Sequence, residues 1–216
     1  MLHVTRKKSF CKVLGPGNRS VIWFHGCFRR CPSCIADAMN KTTNYEQVLP
    51  TELADWVMNN AGIEGITLSG GEPLQQPTDE LVDFLTLIKR NTDLSILCYT
   101  GYLYEDISAN GECNVAQLSV VLPLIDVLID GEYRQEEDFG QRWRGSANQR
   151  FHFLTNRYRS QQEEWNNTYE RQIEIELDIN GKLLISGVPS KGFIGKLTAV
   201  LHQRDVELVF HEEGIL

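Results

Sequence analysis

Short apolar segments alternate with amphipathic ones along much of the chain, and this alternation limits the possible folds more than any other feature. We predict buried strands over residues 20–25, 65–69, 94–99 and 125–129. We predict helices over residues 51–61, 79–90 and 115–122, and an irregular polar segment over residues 40–50. Strands and helices that alternate in this way form βαβ units. The chain is therefore expected to be an α/β protein with a parallel sheet covered by helices.

Four distinctive loops follow these predicted strands. They are the loop that begins at Cys27, then Gly70-Gly71-Glu72-Pro73, Thr100-Gly101-Tyr102 and Asp130-Gly131. In open α/β folds, ligands bind at the carboxyl ends of the strands. We therefore expect these four loops to form one functional site.

Charge and hydropathy exclude several classes of function. With 29 acidic and 21 basic residues the net charge is -8, which disfavours binding to a nucleic-acid backbone. No apolar run approaches the roughly 20 residues that a membrane span needs. Residues 1–12 are mildly basic and lack an apolar core, so we predict no secretory signal. A cytoplasmic location is therefore expected, where thiols stay reduced.

Three of the six cysteines, Cys27, Cys31 and Cys34, are spaced as Cys-x3-Cys-x2-Cys, which indicates a metal site in a reducing compartment. A structural zinc site takes four ligands, and His25 is available as a fourth. Three thiolates also suit a [4Fe–4S] cluster and leave one iron free to bind a small molecule. The spacing alone leaves a cluster, a zinc site and unligated thiols open. The remaining cysteines have no partner motif and are not assigned to the site: Cys11, Cys98 and Cys113.

The sequence CFRRCPSC at residues 27–34, followed by SGGEP at residues 69–73, resembles the signature of radical S-adenosylmethionine (SAM) enzymes. The resemblance implies a partial (β/α)6-type barrel with a [4Fe–4S] cluster on the three cysteines. It implies that SAM binds the open iron and is cleaved reductively to methionine and a 5′-deoxyadenosyl radical, which abstracts a hydrogen atom from the substrate. On this resemblance the chain is an enzyme, a radical SAM oxidoreductase.

The resemblance also implies which residues bind SAM. Family members hold the SAM amino group with the loop that here contains Gly70, Gly71 and Glu72, and Pro73 fixes the turn that follows. Glycines let this backbone approach the ligand, because no Cβ intervenes. The other implied positions are two neighbours of the third cysteine, a ribose contact and an acidic strand tip: Ser33, Ile35, Thr100 and Asp130. Many members carry an aromatic residue in place of Ser33, whereas the branch named next often has a small one.

Three later segments are similar to one branch of the family. TGY at residues 100–102, LIDVLIDGEY at 124–133 and WRGSANQR at 143–150 resemble the glycyl-radical activases of anaerobic ribonucleotide reductases. This implies a glycyl-radical enzyme or another polypeptide as substrate, and a flavodoxin or ferredoxin as the low-potential electron donor. Two other functions stay open: a radical SAM enzyme that modifies a peptide or small molecule, and a non-catalytic protein with a structural metal site.

The end of the chain departs from the small activases. We divide the chain into a radical SAM core at residues 1–157 and a C-terminal extension at residues 158–216. The extension is expected to contain a solvated linker or exposed helix at 158–168, a helix at 193–203 and a strand at 206–210. Residues 173–179 and 182–188 flank Asn180-Gly181, the strongest short signal for a β-hairpin. The extension is expected either to cover an open sheet edge or to bind a partner polypeptide.

Overall fold

The computed structural model describes residues 1–34, 36–37, 41–108, 118–181, 183–190 and 192–206. The strands are β1 (Leu2–Cys11), β2 (Arg19–Phe24), β3 (Glu46–Val48), β4 (Gly65–Gly70), β5 (Ser95–Tyr99), β6 (Val127–Asp130), β7 (Arg150–Phe153), β8 (Ile173–Leu177) and β9 (Leu183–Gly187). The first seven form one sheet in the order β3-β1-β2-β4-β5-β6-β7. The predicted α/β class is confirmed. The described strands form an open sheet and do not close into a barrel.

The four predicted strands form the parallel centre of this sheet, β2-β4-β5-β6. Every residue of β2 is buried, as expected for a strand covered on both faces. The helices α1 (Pro50–Met58) and α2 (Thr78–Asn91) match two of the predicted helices. They bury Leu53, Val57 and Leu85 in the main apolar core, which includes the strand residues Ile66 and Ile96. The parallel strands therefore end together at one edge, where the site is expected.

Three antiparallel strands flank this centre and lie outside the predicted set. β1 pairs with β2, β3 with β1, and β7 with β6. The prediction that residues 40–50 are irregular is therefore wrong for residues 46–48, which form β3. β1 contains the run Arg6-Lys7-Lys8, which breaks its apolar alternation, so its strand conformation depends on hydrogen bonds to β2 and β3.

The extension begins with a helix that is anchored in the core. In α4 (Gln162–Asn167), the Trp165 side chain is only 1% exposed. Its ring packs edge-on against Trp143, with centroids 4.8 Å apart, and contacts Phe151 and Phe153. Of the two predicted alternatives, a solvated linker or an exposed helix, the structure has the helix, with Trp165 as its buried residue. The surrounding polar residues hide this anchor in the sequence, because one large ring is enough to fasten a short helix.

The predicted hairpin and the helix after it are confirmed. β8 and β9 pair antiparallel as a separate two-stranded sheet, and Gly181 in the turn has φ +78°. The helix α5 (Phe193–His202) follows. The hairpin bonds to Lys8 on β1 and to Lys12 just after it, while Trp165 of α4 packs on the edge strand β7.

Several sequence positions fall outside the described ranges. These are Ile35, Cys113, the start of the predicted helix 115–122 and nearly all of the predicted strand 206–210. The described end of that predicted helix forms a short 3-10 turn at Leu122–Leu124. Short α3 (Tyr104–Ser108) lies between β5 and β6. Each helix in the described ranges is too short or too polar to cross a bilayer.

Candidate functional site

A cavity of about 160 Å³ opens at the carboxyl ends of the parallel strands. Its lining comes from the cysteine loop after β2 and from the ends of β4, β5 and β6. Of the residues that the resemblance implies, seven line it: Cys27, Cys31, Cys34, Gly70, Gly71, Glu72 and Thr100. The loops after four consecutive parallel strands therefore meet in one place, as the strand pattern predicts.

The three clustered cysteines are half-buried and carry free thiols. Burial raises the pKa of Cys27, and it raises the pKa of Cys34 to about 11. Among the described residues, no three His, Cys, Asp or Glu side chains are already closed into a metal site. The donor set nevertheless fits an iron–sulfur cluster, because soft thiolates that line one cavity are its usual protein ligands. The thiols must lose their protons to bind a cluster, so a higher pH favours cluster binding.

His25, the alternative fourth ligand, lies elsewhere. Its ring stacks on Tyr45 with centroids 4.1 Å apart, and it is not part of the cavity lining. Cys11 and Cys98 are fully buried and also lie outside the lining. The cavity therefore selects the same three cysteines as the spacing does.

Glycine is required at the end of β4 for a reason that the sequence did not reveal. A Cβ on Gly71 would lie 2.1 Å from the carbonyl oxygen of Gly26, and a Cβ on Gly70 would lie 2.5 Å from the backbone nitrogen of Phe24. Gly70 also has φ +96°. The backbone N–H of Glu72 donates to the Gly26 oxygen at 2.8 Å. These glycines therefore allow the β4 loop to pack directly on the start of the cysteine loop.

Glu72 connects the β4 and β5 loops. Its carboxylate is 1% exposed and accepts hydrogen bonds from the Thr100 hydroxyl at 2.8 Å and the Gly101 N–H at 2.7 Å. It also accepts from the Leu74 N–H at 3.1 Å. Burial raises the pKa of Glu72, while these donors oppose that rise. Both carboxylate oxygens thus hold the loops in place, and the residue also lines the cavity.

Three other implied positions do not line the cavity. Pro73 begins a buried 3-10 turn, Pro73–Gln75. Ser33 has φ +58°, and its hydroxyl donates to Gln135 Oε1 at 2.8 Å. Asp130 is fully buried, and its Oδ2 lies 2.5 Å from Arg150 Nη2 and 2.9 Å from His152 Nε2. The structure therefore brings Gly131, and not Asp130, to the cavity.

The Asp130 contacts predict a pH-dependent contribution to stability. Burial opposes ionisation, but His152, Arg150 and the Tyr104 N–H together lower the pKa of Asp130 to about 2 from 3.8. A lowered carboxyl pKa stabilises the folded state above pH 3.8, and that stability is lost as the pH falls towards 2. The pH-dependent part amounts to about 2 kcal/mol. Urea unfolding at pH 6 and at pH 2 measures this effect. The unfolding free energy of the wild type should fall by this amount more than that of Asp130→Asn between the two pH values. A difference between the two proteins that does not change with pH would contradict the assignment.

Sequence reasoning missed several lining residues. Arg29 lies over the Tyr102 ring at 5.3 Å, and its Nη2 is 3.4 Å from Glu132 Oε2. Tyr99 has a buried hydroxyl without a hydrogen-bond partner in the described structure, and burial raises its pKa. Arg29 lies between Cys27 and Cys31 in the sequence, and Tyr99 directly precedes Thr100. Their position next to these motifs is the sequence signal that could have identified them as lining residues.

Comparison with known proteins shows the family to which this chain belongs. The family model described as "4Fe-4S single cluster domain" matches residues 13–152, which contain the three cysteines and the parallel strands. The anaerobic ribonucleoside-triphosphate reductase-activating protein of Salmonella typhimurium is 36% identical over 155 residues, covering 66% of this chain and 92% of that protein. Its Escherichia coli K12 counterpart is 35% identical over 155 residues, with the same coverage. The counterpart from Enterobacteria phage T4 is 34% identical over 143 residues, covering 64% of this chain and 85% of that protein.

The matched range contains the three cysteines that line the cavity. The matched family is named for a single 4Fe-4S cluster, and the matched segment holds three thiols that line one cavity at the strand ends. About a third of this chain lies outside each match to the activating proteins. The chain belongs to the 4Fe-4S single cluster domain family and to the family of the anaerobic ribonucleoside-triphosphate reductase-activating proteins.

Proposed function

We propose that this protein is a radical SAM activase that generates the glycyl radical of an anaerobic ribonucleotide reductase. The observation that carries the proposal is the meeting of Cys27, Cys31 and Cys34 with the Gly70-Gly71-Glu72 loop in one cavity, in a chain of this family. The three thiolates would hold the [4Fe–4S] cluster. When bound, the cluster supplies the single electron that cleaves the sulfonium carbon–sulfur bond of SAM.

The charge of the cavity supports SAM as the ligand. Among the described lining residues, three are acidic, Glu72, Glu132 and Asp138, and one is basic, Arg29. SAM carries an ammonium, a sulfonium and a carboxylate, so its net charge is positive. Glu132 pairs with Arg29 and Asp138 pairs with Arg171. The carboxylate of Glu72 makes no ion pair among the described residues, so it is the acidic lining group available to the ammonium of SAM.

The apolar part of the cavity excludes water from the reacting groups. Leu14, Trp23 and Ala36 are buried residues of its lining and pack together on the side of Cys34. A dry environment strengthens the electrostatic contacts inside the cavity and keeps reactive species from solvent. The residues of the chain would therefore bind SAM, orient it and shield the reacting groups from water.

We further propose that the open parallel sheet is the partial (β/α)6-type barrel of the radical SAM enzymes. Residues 1–157 would form the catalytic core and residues 158–216 an extension packed on it. An open sheet leaves lateral access for a loop of a protein substrate. A flavodoxin or ferredoxin of low potential would supply the electron.

The proposal predicts two products in an anaerobic assay. The protein is reconstituted with iron and sulfide, reduced with dithionite and mixed with SAM, with and without the anaerobic ribonucleotide reductase of the same genome. We expect 5′-deoxyadenosine by mass spectrometry and a glycyl radical on the reductase by electron paramagnetic resonance. Deoxyadenosine without a radical on the reductase would indicate a different substrate. A fully loaded cluster that yields no deoxyadenosine would overturn the radical SAM assignment.

A further inference from the structure

The C-terminal hairpin reaches the cavity that the family residues form. Gly187, Val188 and Pro189, here called the hairpin wall, line the cavity together with the cysteine loop. They lie beyond residue 152, where the match to the family model ends. The extension therefore adds a segment to the cavity that the matched family region does not contain.

Val188 packs on the side of the cavity where Cys34 lies. Both contact the apolar cluster that includes Leu14, Trp23 and Ala36. Tyr99 contacts the same cluster from the end of β5. The apolar shell around a metal site controls solvent access, so an apolar side chain on this side of the cavity is placed to shield the thiol.

Gly187 lets the chain come close enough to do this. Its φ is +116°, and a Cβ there would lie 2.7 Å from the Gln172 carbonyl oxygen and 3.2 Å from Val13 Cγ2. The closest clash would be with the hairpin itself, at Gln172 and Ile173 beside Gly187, and Val13 of the core lies at 3.2 Å. Glycine therefore allows both the tight pairing of the hairpin strands and the close packing on Val13 at this point.

Two sets of polar contacts fasten the hairpin. On β1, Lys8 is 7% exposed in its side chain, and its Nζ lies 2.8 Å from Glu174 Oε2 and 2.9 Å from Glu176 Oε1. The backbone N–H of Lys12 donates to Glu174 Oε1 at 2.9 Å. Because Lys8 is nearly buried, removing its carboxylate partners would leave a buried charge, so this contact holds the hairpin strongly.

Arg171 makes the second set of contacts, across the mouth of the cavity. Its guanidinium lies 2.8 Å from Asp138 Oδ1 and donates to the carbonyl oxygen of Gly145 at 2.7 Å and to that of Pro189 at 3.3 Å. Asp138, Gly145 and Pro189 all line the cavity. One buried arginine thus joins the hairpin wall to the opposite rim.

We propose that the hairpin wall is a fixed part of the cofactor cavity, in which Val188 shields the Cys34 side from solvent and Arg171 is the positioning residue that holds the wall in place. Its role around a cluster rests on the proposed function. The shielding itself is a property of the folded chain and is testable without the cluster or SAM.

Alkylation of the cluster-free, full-length protein tests the shielding. Iodoacetamide is added under anaerobic, reducing conditions, and the modification of Cys27, Cys31 and Cys34 is followed separately by mass spectrometry. In Val188→Ala we expect Cys34 to react at least about threefold faster than in wild type, with Cys27 unchanged. The matched control is Val200→Ala on α5, where the side chain is 52% exposed and away from the cavity, and all rates should stay at wild-type values.

A second pair of variants tests Arg171. Arg171→Met should accelerate the reaction of Cys34 as Val188→Ala does, whereas Arg157→Met, which removes a surface contact to Asp93, should not. Fully buried Cys98 reports folding, since it should stay unreactive in every variant. If Cys98 reacts in one variant, that variant is not fully folded, and the Cys34 rate in the other variant then tests the proposal.

The outcomes separate this proposal from the proposed function. Wild-type Cys34 rates in a folded Val188→Ala or Arg171→Met variant would overturn the hairpin wall, whatever the enzyme does with SAM. Faster Cys34 alkylation in the two variants, together with a fully loaded wild-type protein that makes no deoxyadenosine, would support the wall and reject the radical SAM assignment.

Discussion

Replacing Cys31 by alanine is expected to lower SAM cleavage by more than about 100-fold, which exceeds the usual loss from an outer-shell residue of a metal site. The reason is that a [4Fe–4S] cluster on two thiolates lacks a third thiolate, and the described lining of the cavity contains no other cysteine to replace it. The thiol of Cys31 is half-buried, so the cluster-free protein should lose less than about 1 kcal/mol of unfolding free energy. Iron and sulfide content, deoxyadenosine yield and urea unfolding measure these three effects.

The matched control is Cys98→Ala. This cysteine is fully buried in the main core, so its replacement should cost about 1 kcal/mol of stability or more while leaving iron content and SAM cleavage intact. A Cys31→Ala protein with a full cluster and wild-type deoxyadenosine yield would rule out the ligand assignment. Stoichiometric zinc in the purified wild-type protein, with no capacity for iron and sulfide, would favour the structural zinc alternative.

Replacing Gly71 by alanine is expected to cost about 3 kcal/mol of unfolding free energy and most of the cluster-binding capacity. The new Cβ would lie 2.1 Å from the oxygen and 2.7 Å from the carbonyl carbon of Gly26, and neither backbone atom can move as a side chain would. Gly26 directly precedes Cys27, so the strain falls on the cysteine loop. Urea unfolding of the cluster-free protein and iron content after reconstitution are the two measurements.

Gly195→Ala provides the control for this substitution. Gly195 lies in α5, a Cβ there meets nothing within 4 Å, and its φ is not in the left-handed region. Alanine at this position should therefore stabilise the protein by up to about 1 kcal/mol and leave the cluster unaffected. Wild-type stability and iron content in Gly71→Ala would show that the two loops do not pack as tightly as the structure indicates.

The parallel centre of the fold was predictable because its signals are local. Each central strand is a short apolar run that ends at glycine or at another turn residue, and α2 carries apolar residues at helical spacing. β1, β3 and β7 carry no such signal. β3 and β7 are short edge strands, and β1 contains three consecutive basic residues, so pairing with neighbours decides their conformation.

Many of the residues that line the candidate site were predictable from the sequence, but its architecture was less so. The spacing of Cys27, Cys31 and Cys34 identified the thiols, and the strand pattern brought Gly70 and Thr100 to them. The carboxylate of Asp130 turns away because Arg150 and His152 on β7, a strand without a sequence signal, pair with it. A strand-tip aspartate looks the same in sequence whether it faces a ligand or a neighbouring strand.

The sequence by itself determined the positions of the parallel strands along the chain, the loop that carries the cysteines and the hairpin turn at Asn180-Gly181. These depend on residues close together in the chain, whose periodicity and turn chemistry act over a few positions. Only the tertiary structure decided that Glu72 joins two loops and that the extension reaches the cavity. Glu72 meets Thr100, and Lys8 meets Glu174, across large separations in the chain. Such contacts form only after the intervening chain has packed, so no local pattern encodes which charged group finds which partner.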